Sequence, residues 1–212
     1  MNEYSPREEK LNIISHAIGF VLSIIALILL VIDATAFGNV WNTVSVSIFG
    51  VSLILLYAAS TLYHSAQGEE IRYRLKIFDH SAIYILIAGT YTPFALITLN
   101  GIDGWVIFGV SWGMALIGII LKLFFTGKFN SISTLMYILM GWMIVFAINP
   151  LMDSLPLDGI YWLIAGGVSY TIGAVIYSIE KIKFNHAIFH VFVLLGSFCH
   201  FYSVYFYVLP SK

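Results

Sequence analysis

Seven long apolar stretches, separated by short polar turns, dominate this 212-residue chain and leave little room for any other architecture. A helix that crosses a bilayer needs roughly 20 mostly apolar residues. Stretches of that kind fall near 15–32, 40–63, 80–99, 104–122, 131–149, 159–179 and 187–208. What is left over covers only short loops and tails, so the sequence predicts one all-α domain over residues 1–212, a polytopic seven-helix membrane bundle. Composition agrees: 60% of residues are hydrophobic and 10% are charged, against about 25% charged in an ordinary soluble domain.

The remaining bulk properties exclude several functions. A net charge of −1 offers no electrostatic footprint for nucleic acid. The single cysteine, Cys199, excludes an internal disulfide and any multi-cysteine metal site. No cleavable leader, internal repeat or low-complexity segment is evident.

Charge predicts orientation. Arg7 and Lys10 precede the first span; Arg72, Arg74 and Lys76 fall in the second loop; Lys122 and Lys128 flank the fourth; Lys181 and Lys183 lie in the sixth. Nine of the ten basic residues thus share one side, while Asp33, Asp103, Asp153 and Asp158 occupy the other and Lys212 ends the C-terminal tail. The positive-inside rule then places the N-terminus in the cytoplasm and the C-terminus outside.

Ionisable groups inside spans are costly and point to function. With these spans, His16, His64, His80, His186 and His190 all gather at the cytoplasmic end; only His200 does not. His186 and His190 are four residues apart, which stacks both rings on one helix face. His64 can approach from the second span, Ser60 shares its face, and Asp79 enters the third span at the same depth. Three neutral imidazoles with an open fourth position describe a catalytic zinc site, in which a bound water titrates near neutrality. There Asp79 would orient or deprotonate the water and Ser60 would hydrogen-bond it. The alternatives are interfacial imidazoles that satisfy backbone carbonyls, or a proton-relay or pH-sensing cluster. Glu9, Asn12 and His16 share one face of the first helix, either around the metal or as a cap and headgroup anchor.

Weaker signals complete the reading. Pro93 predicts a kink in the third span. Gly109 and Gly113 form a small-residue face for contact within the bundle or between protomers. His200 lies ten residues beyond His190, about 15 Å along the helix, too far to share its metal. Tyr202, Tyr205 and Tyr207 resemble an interfacial aromatic belt.

Glu9-x-x-Asn12-x-x-x-His16, Ser60-x-x-x-His64 with Asp79 downstream, and His186-x-x-x-His190 resemble the three signature motifs of the progestin and adipoQ receptor family, whose bacterial branch is named for hemolysin III. Leu62–Ser65, Ala88–Phe94, Met140–Trp142 and the run Gly166-Gly167 to Tyr170-Thr171-x-Gly173 extend the likeness from about residue 9 to about 205. The resemblance implies a bacterial plasma-membrane protein with its N-terminus inside. It also implies zinc on His64, His186 and His190, with Asp79 holding a zinc-bound water and Ser60 beside it. By the same likeness, the activity is ceramidase-like hydrolysis of a lipid amide or ester. Membrane lipids are then the partners; a homo-oligomer through small-residue helix faces is the expectation from Gly109 and Gly113. A non-enzymatic regulator of membrane homeostasis with structural zinc, or a cytolysin, are the alternatives; polarity gathered at one end of the bundle argues against a pore.

Overall fold

A computed structural model describes residues 4–126 and 130–210, with side chains of Asn130 and Ser131 left out of the description. Lys128 and Lys212, both counted in the charge argument, lie outside the described residues. The helices are α1 (Pro6–Phe37), α2 (Val40–Ser65), α3 (Glu69–Pro93), α4 (Gly101–Phe125), α5 (Asn130–Gly141), α6 (Ile148–Ser154), α7 (Leu157–Tyr177) and α8 (Asn185–Ser203). There is no strand among the described residues. Seven segments are long and apolar enough to cross a membrane, the fifth running Ile132–Ser154 through α5 and α6.

Helix ends follow capping chemistry rather than the limits of apolarity, and here the structure corrects the sequence reading. Ser5 caps α1, its Oγ accepting from the Glu8 amide at 3.3 Å, and Pro6 occupies the first turn. The first helix therefore starts well before residue 15, and Arg7, Glu9, Lys10 and Asn12 are helical. Likewise α3 starts at Glu69, so Arg72, Arg74 and Lys76 sit on a helix and not in a loop. The turn before it is closed by Gly68, whose φ of 91° suits a residue without Cβ. Lys122 is not a loop flank either: it is buried on the last turn of α4.

Helix continuity departs from a regular α-helix in two spans. At Pro93 the α3 helix passes into a π-helical turn over Phe94–Leu99, a local rewinding that accommodates the missing proline N–H. The fifth span is not one helix: it breaks after Gly141 into a 3₁₀ turn, Met143–Ala147, before α6. Irregular backbone at membrane depth must be satisfied by protein. Tyr91 does this, its hydroxyl donating to Gly141 O at 2.6 Å and accepting from the Ile144 amide at 3.1 Å.

Small residues set the close contacts. A Cβ on Gly19 would strike the Tyr57 ring, one on Gly118 the Tyr84 ring, and one on Gly196 the Tyr170 ring. Gly109 and Gly113 behave differently: among the described residues nothing lies within 4 Å of an added Cβ at either.

Candidate metal centre and cavity

His64 ends α2, while His186 and His190 lie on the first turns of α8, and all three are buried. Their potential ligand atoms all lie within 4.8 Å of one another, and among the described residues they form the one such group. His64 Nε2 and His186 Nε2 are 3.1 Å apart. Tetrahedral zinc with bonds of about 2.0–2.1 Å holds its ligand atoms roughly 3.3 Å apart.

The opposite nitrogens are each tied to a different partner. His64 Nδ1 lies 2.6 Å from Glu9 Oε2, and Asn12 Nδ2 is 3.5 Å from the same nitrogen. His186 Nδ1 meets the Tyr4 hydroxyl at 3.0 Å, and His190 Nδ1 meets Ser15 Oγ at 3.3 Å. Arg72 completes the outer layer by donating to Glu9 Oε1. The Glu9 carboxylate accepts from His64 Nδ1 and so leaves His64 Nε2 as the lone pair that faces His186 Nε2, while the Tyr4 and Ser15 hydroxyls hold the other two rings. The chemistry of this donor set therefore fits a metal ion that prefers imidazole.

Glu9, Asn12 and His16 thus face the histidine group from α1, and they do so in distinct ways. Glu9 and Asn12 address His64, whereas His16 stacks flat on His190, centroids 3.5 Å apart at 12°, with the Tyr57 ring edge-on at 5.1 Å. Neither ring nitrogen of His16 has a hydrogen-bond partner, and His16 is not among the mutually close ligands. Asp79 and Ser60 are both buried and line the same cavity. Ser60 and Asp79 are close neighbours, their oxygens near the limit of hydrogen-bond distance.

Tyr4, Ser15 and Arg72 were not found from the sequence. Tyr4 precedes the first helix, and no spacing rule links it to His186. Arg72 belonged with loop cations until α3 was seen to begin at Glu69. Ser15 carried a usable signal, since it follows Asn12 by three residues and His16 is its neighbour.

Below the histidines extends a cavity of about 250 Å³. Its wall on α7 carries Ile160, Leu163, Ile164, Gly167, Tyr170, Thr171, Ala174 and Tyr177, one helix face spanning about 26 Å at 1.5 Å per residue. Asp79, Ser60, His186 and His190 line one end, and apolar side chains dominate the rest. His200 borders it further down, its Nε2 donating to Leu163 O at 3.1 Å, well away from the histidine trio as expected from its position.

Seven apolar spans around a buried imidazole trio define a multi-pass helical membrane protein with a candidate metal centre at one end. The family described as "Haemolysin-III related" matches residues 4–201, and the chain belongs to that family. It is 50% identical to "Hemolysin-3" of Bacillus cereus, over 97% of this chain and 94% of the relative. It is 47% identical to the "Hemolysin-3 homolog" of Bacillus subtilis (strain 168), over 96% of each. A more distant relative is the human "Monocyte to macrophage differentiation factor", 27% identical over 81% of this chain and 73% of that protein.

Proposed function

We propose that this protein is a zinc-dependent membrane hydrolase that cleaves an amide or ester bond of a lipid. The observation that carries this reading is the joining of the two features: of three mutually close imidazoles, each held from behind, His186 and His190 line the end of a long apolar cavity. A closed structural zinc takes four protein ligands, whereas the mutually close group has three, and His16 is engaged in stacking. That favours an open site.

His64, His186 and His190 would hold the zinc, which when bound polarises a carbonyl oxygen and activates water. The α3 and α7 walls would hold an acyl chain; a 26 Å face compares with the roughly 30 Å hydrocarbon thickness of a bilayer. Asp79 would take a proton from the attacking water and return one to the leaving alcohol or amine. Ser60 would donate its hydroxyl to water or carbonyl. One water is consumed, the carbonyl carbon–oxygen or carbon–nitrogen bond breaks, and a carboxylic acid and an alcohol or amine result.

The same reading sets the protein in the bacterial plasma membrane, N-terminus and histidine cluster on the cytoplasmic side, C-terminus outside. A C-terminal alkaline phosphatase fusion should be active and an N-terminal one inactive. Because an added Cβ on Gly109 or Gly113 would meet nothing among the described residues, they mark the face through which a homo-oligomer would form. Hydrolysis is tested by incubating purified, zinc-loaded protein with labelled lipid amides and esters. Product formation that disappears in Asp79→Ala supports the proposal, and no turnover of any candidate contradicts it.

A further inference from the structure

One strongly ionisable side chain in the cavity wall has no part in the site described so far. Lys122 is 3% exposed on α4 and lines the same cavity as Asp79 and His186. Its ammonium donates to Ser133 Oγ at 2.7 Å and lies 5.9 Å from the Tyr137 ring centroid. None of the ion pairs among the described residues includes it. The segment just beyond α4, Gly127, Lys128 and Phe129, brings no carboxylate in its sequence. A charge withdrawn from water without an opposite charge is costly. In a membrane span it marks a place where a partner arrives.

The depth of Lys122 says which part of a ligand it would meet. Gly118 packs on Tyr84, so in these antiparallel helices Lys122, four residues on, comes level with His80, four residues back. Tyr137 confirms the level, its hydroxyl donating to His80 O at 3.0 Å beneath the Lys122 ammonium. His80 adjoins Asp79, which puts the cation at the reacting end of the cavity and not along the acyl wall. Ser133 brings its hydroxyl to the ammonium, and its neighbour Thr134 lines the same cavity.

We infer that Lys122, with Ser133 and Thr134, receives the phosphate of the lipid substrate, so that the protein acts on acyl esters of phosphate-bearing lipids and not on neutral lipid amides. The identity of the substrate rests on the hydrolase reading above; the binding preference does not. A carboxylate released by hydrolysis would form at the imidazole trio, so the anion beside Lys122 is a second group of the same molecule. Phosphate suits it, having enough oxygens to accept from an ammonium and two hydroxyls together. A ceramide, which has no anion, would leave Lys122 unneutralised.

Equilibrium binding of labelled oleoyl-lysophosphatidate, mono-oleoylglycerol and oleate to the detergent-purified full chain tests this. Wild type should bind the lysophosphatidate at least about tenfold more tightly than mono-oleoylglycerol. Lys122→Met should lose that preference by weakening only the phosphate lipid, and Lys122→Arg should keep it. Equal wild-type affinities would overturn the inference, as would a Lys122→Met protein of unchanged melting temperature that loses both lipids equally. Oleate weakened as much as lysophosphatidate would assign Lys122 to a carboxylate instead. Displacement of lysophosphatidate by inorganic phosphate as effectively as by unlabelled lipid would assign it to free phosphate; either result contradicts the proposal. The same preference in His64→Ala would show that the subsite stands even where hydrolysis fails.

Discussion

His64 Nδ1 and Glu9 Oε2 are 2.6 Å apart, joining the end of α2 to the first turn of α1, and Arg72 of α3 donates to the other oxygen of the same carboxylate. A carboxylate behind a metal-binding imidazole fixes its tautomer and raises its basicity, and losing it typically costs 10–100-fold in metal affinity. Glu9→Gln should therefore weaken zinc binding by about that factor, and Arg72→Met should act in the same direction but less. Competition against a chromophoric chelator reads both. Unchanged affinity in Glu9→Gln would mean that the contact serves the helix junction alone.

Asp79 gives a different signature, because it lines the cavity without belonging to the close ligand group. Asp79→Asn should retain zinc at wild-type stoichiometry while lipid hydrolysis falls about 10²–10⁴-fold, the usual contribution of a positioned acid–base group. Zinc lost along with activity would show that Asp79 is a ligand.

Tyr91 holds the break in the fifth span through Met140 O, Gly141 O and the Ile144 amide. In Tyr91→Phe those backbone groups lose their partner inside the protein. Leaving buried polar groups unsatisfied costs about 1–3 kcal/mol, so thermal unfolding in detergent should shift clearly downward. An unchanged melting temperature would show that the 3₁₀ turn needs no tyrosine hydroxyl.

Two glycines of α4 should respond in opposite ways. Gly118→Ala drives a methyl group into the Tyr84 ring, an overpacking of the kind that costs about 1–3 kcal/mol. Gly113→Ala meets nothing within 4 Å and should be neutral, or stabilising by up to about 1 kcal/mol from helix propensity. Melting temperatures of the two purified variants decide it, and equal shifts would contradict the packing described.

The seven spans and the pairing of His186 with His190 were legible because both depend on periodicity and length alone. His64 was added by depth, an argument that works when every span runs straight through the bilayer. Elsewhere local signals misled. Apolarity ends near residue 15, yet Ser5 and Pro6 start the helix, so the length of α1 was missed and Tyr4 was never considered. Pro93 drew attention to a kink in α3, whereas the larger break falls at Gly141, where a long-range tyrosine makes the irregularity affordable. Lys122 read as a loop cation because its burial comes from Ser133 and Tyr137, residues that only tertiary structure brings to it.

Metal content of the detergent-purified protein, read by mass spectrometry beside a His186→Ala/His190→Ala double variant, tests the central claim most directly. The account predicts about one zinc per wild-type chain and none in a double variant that keeps its helical circular dichroism. A well-folded wild type without metal, or zinc retained by the double variant, would contradict it.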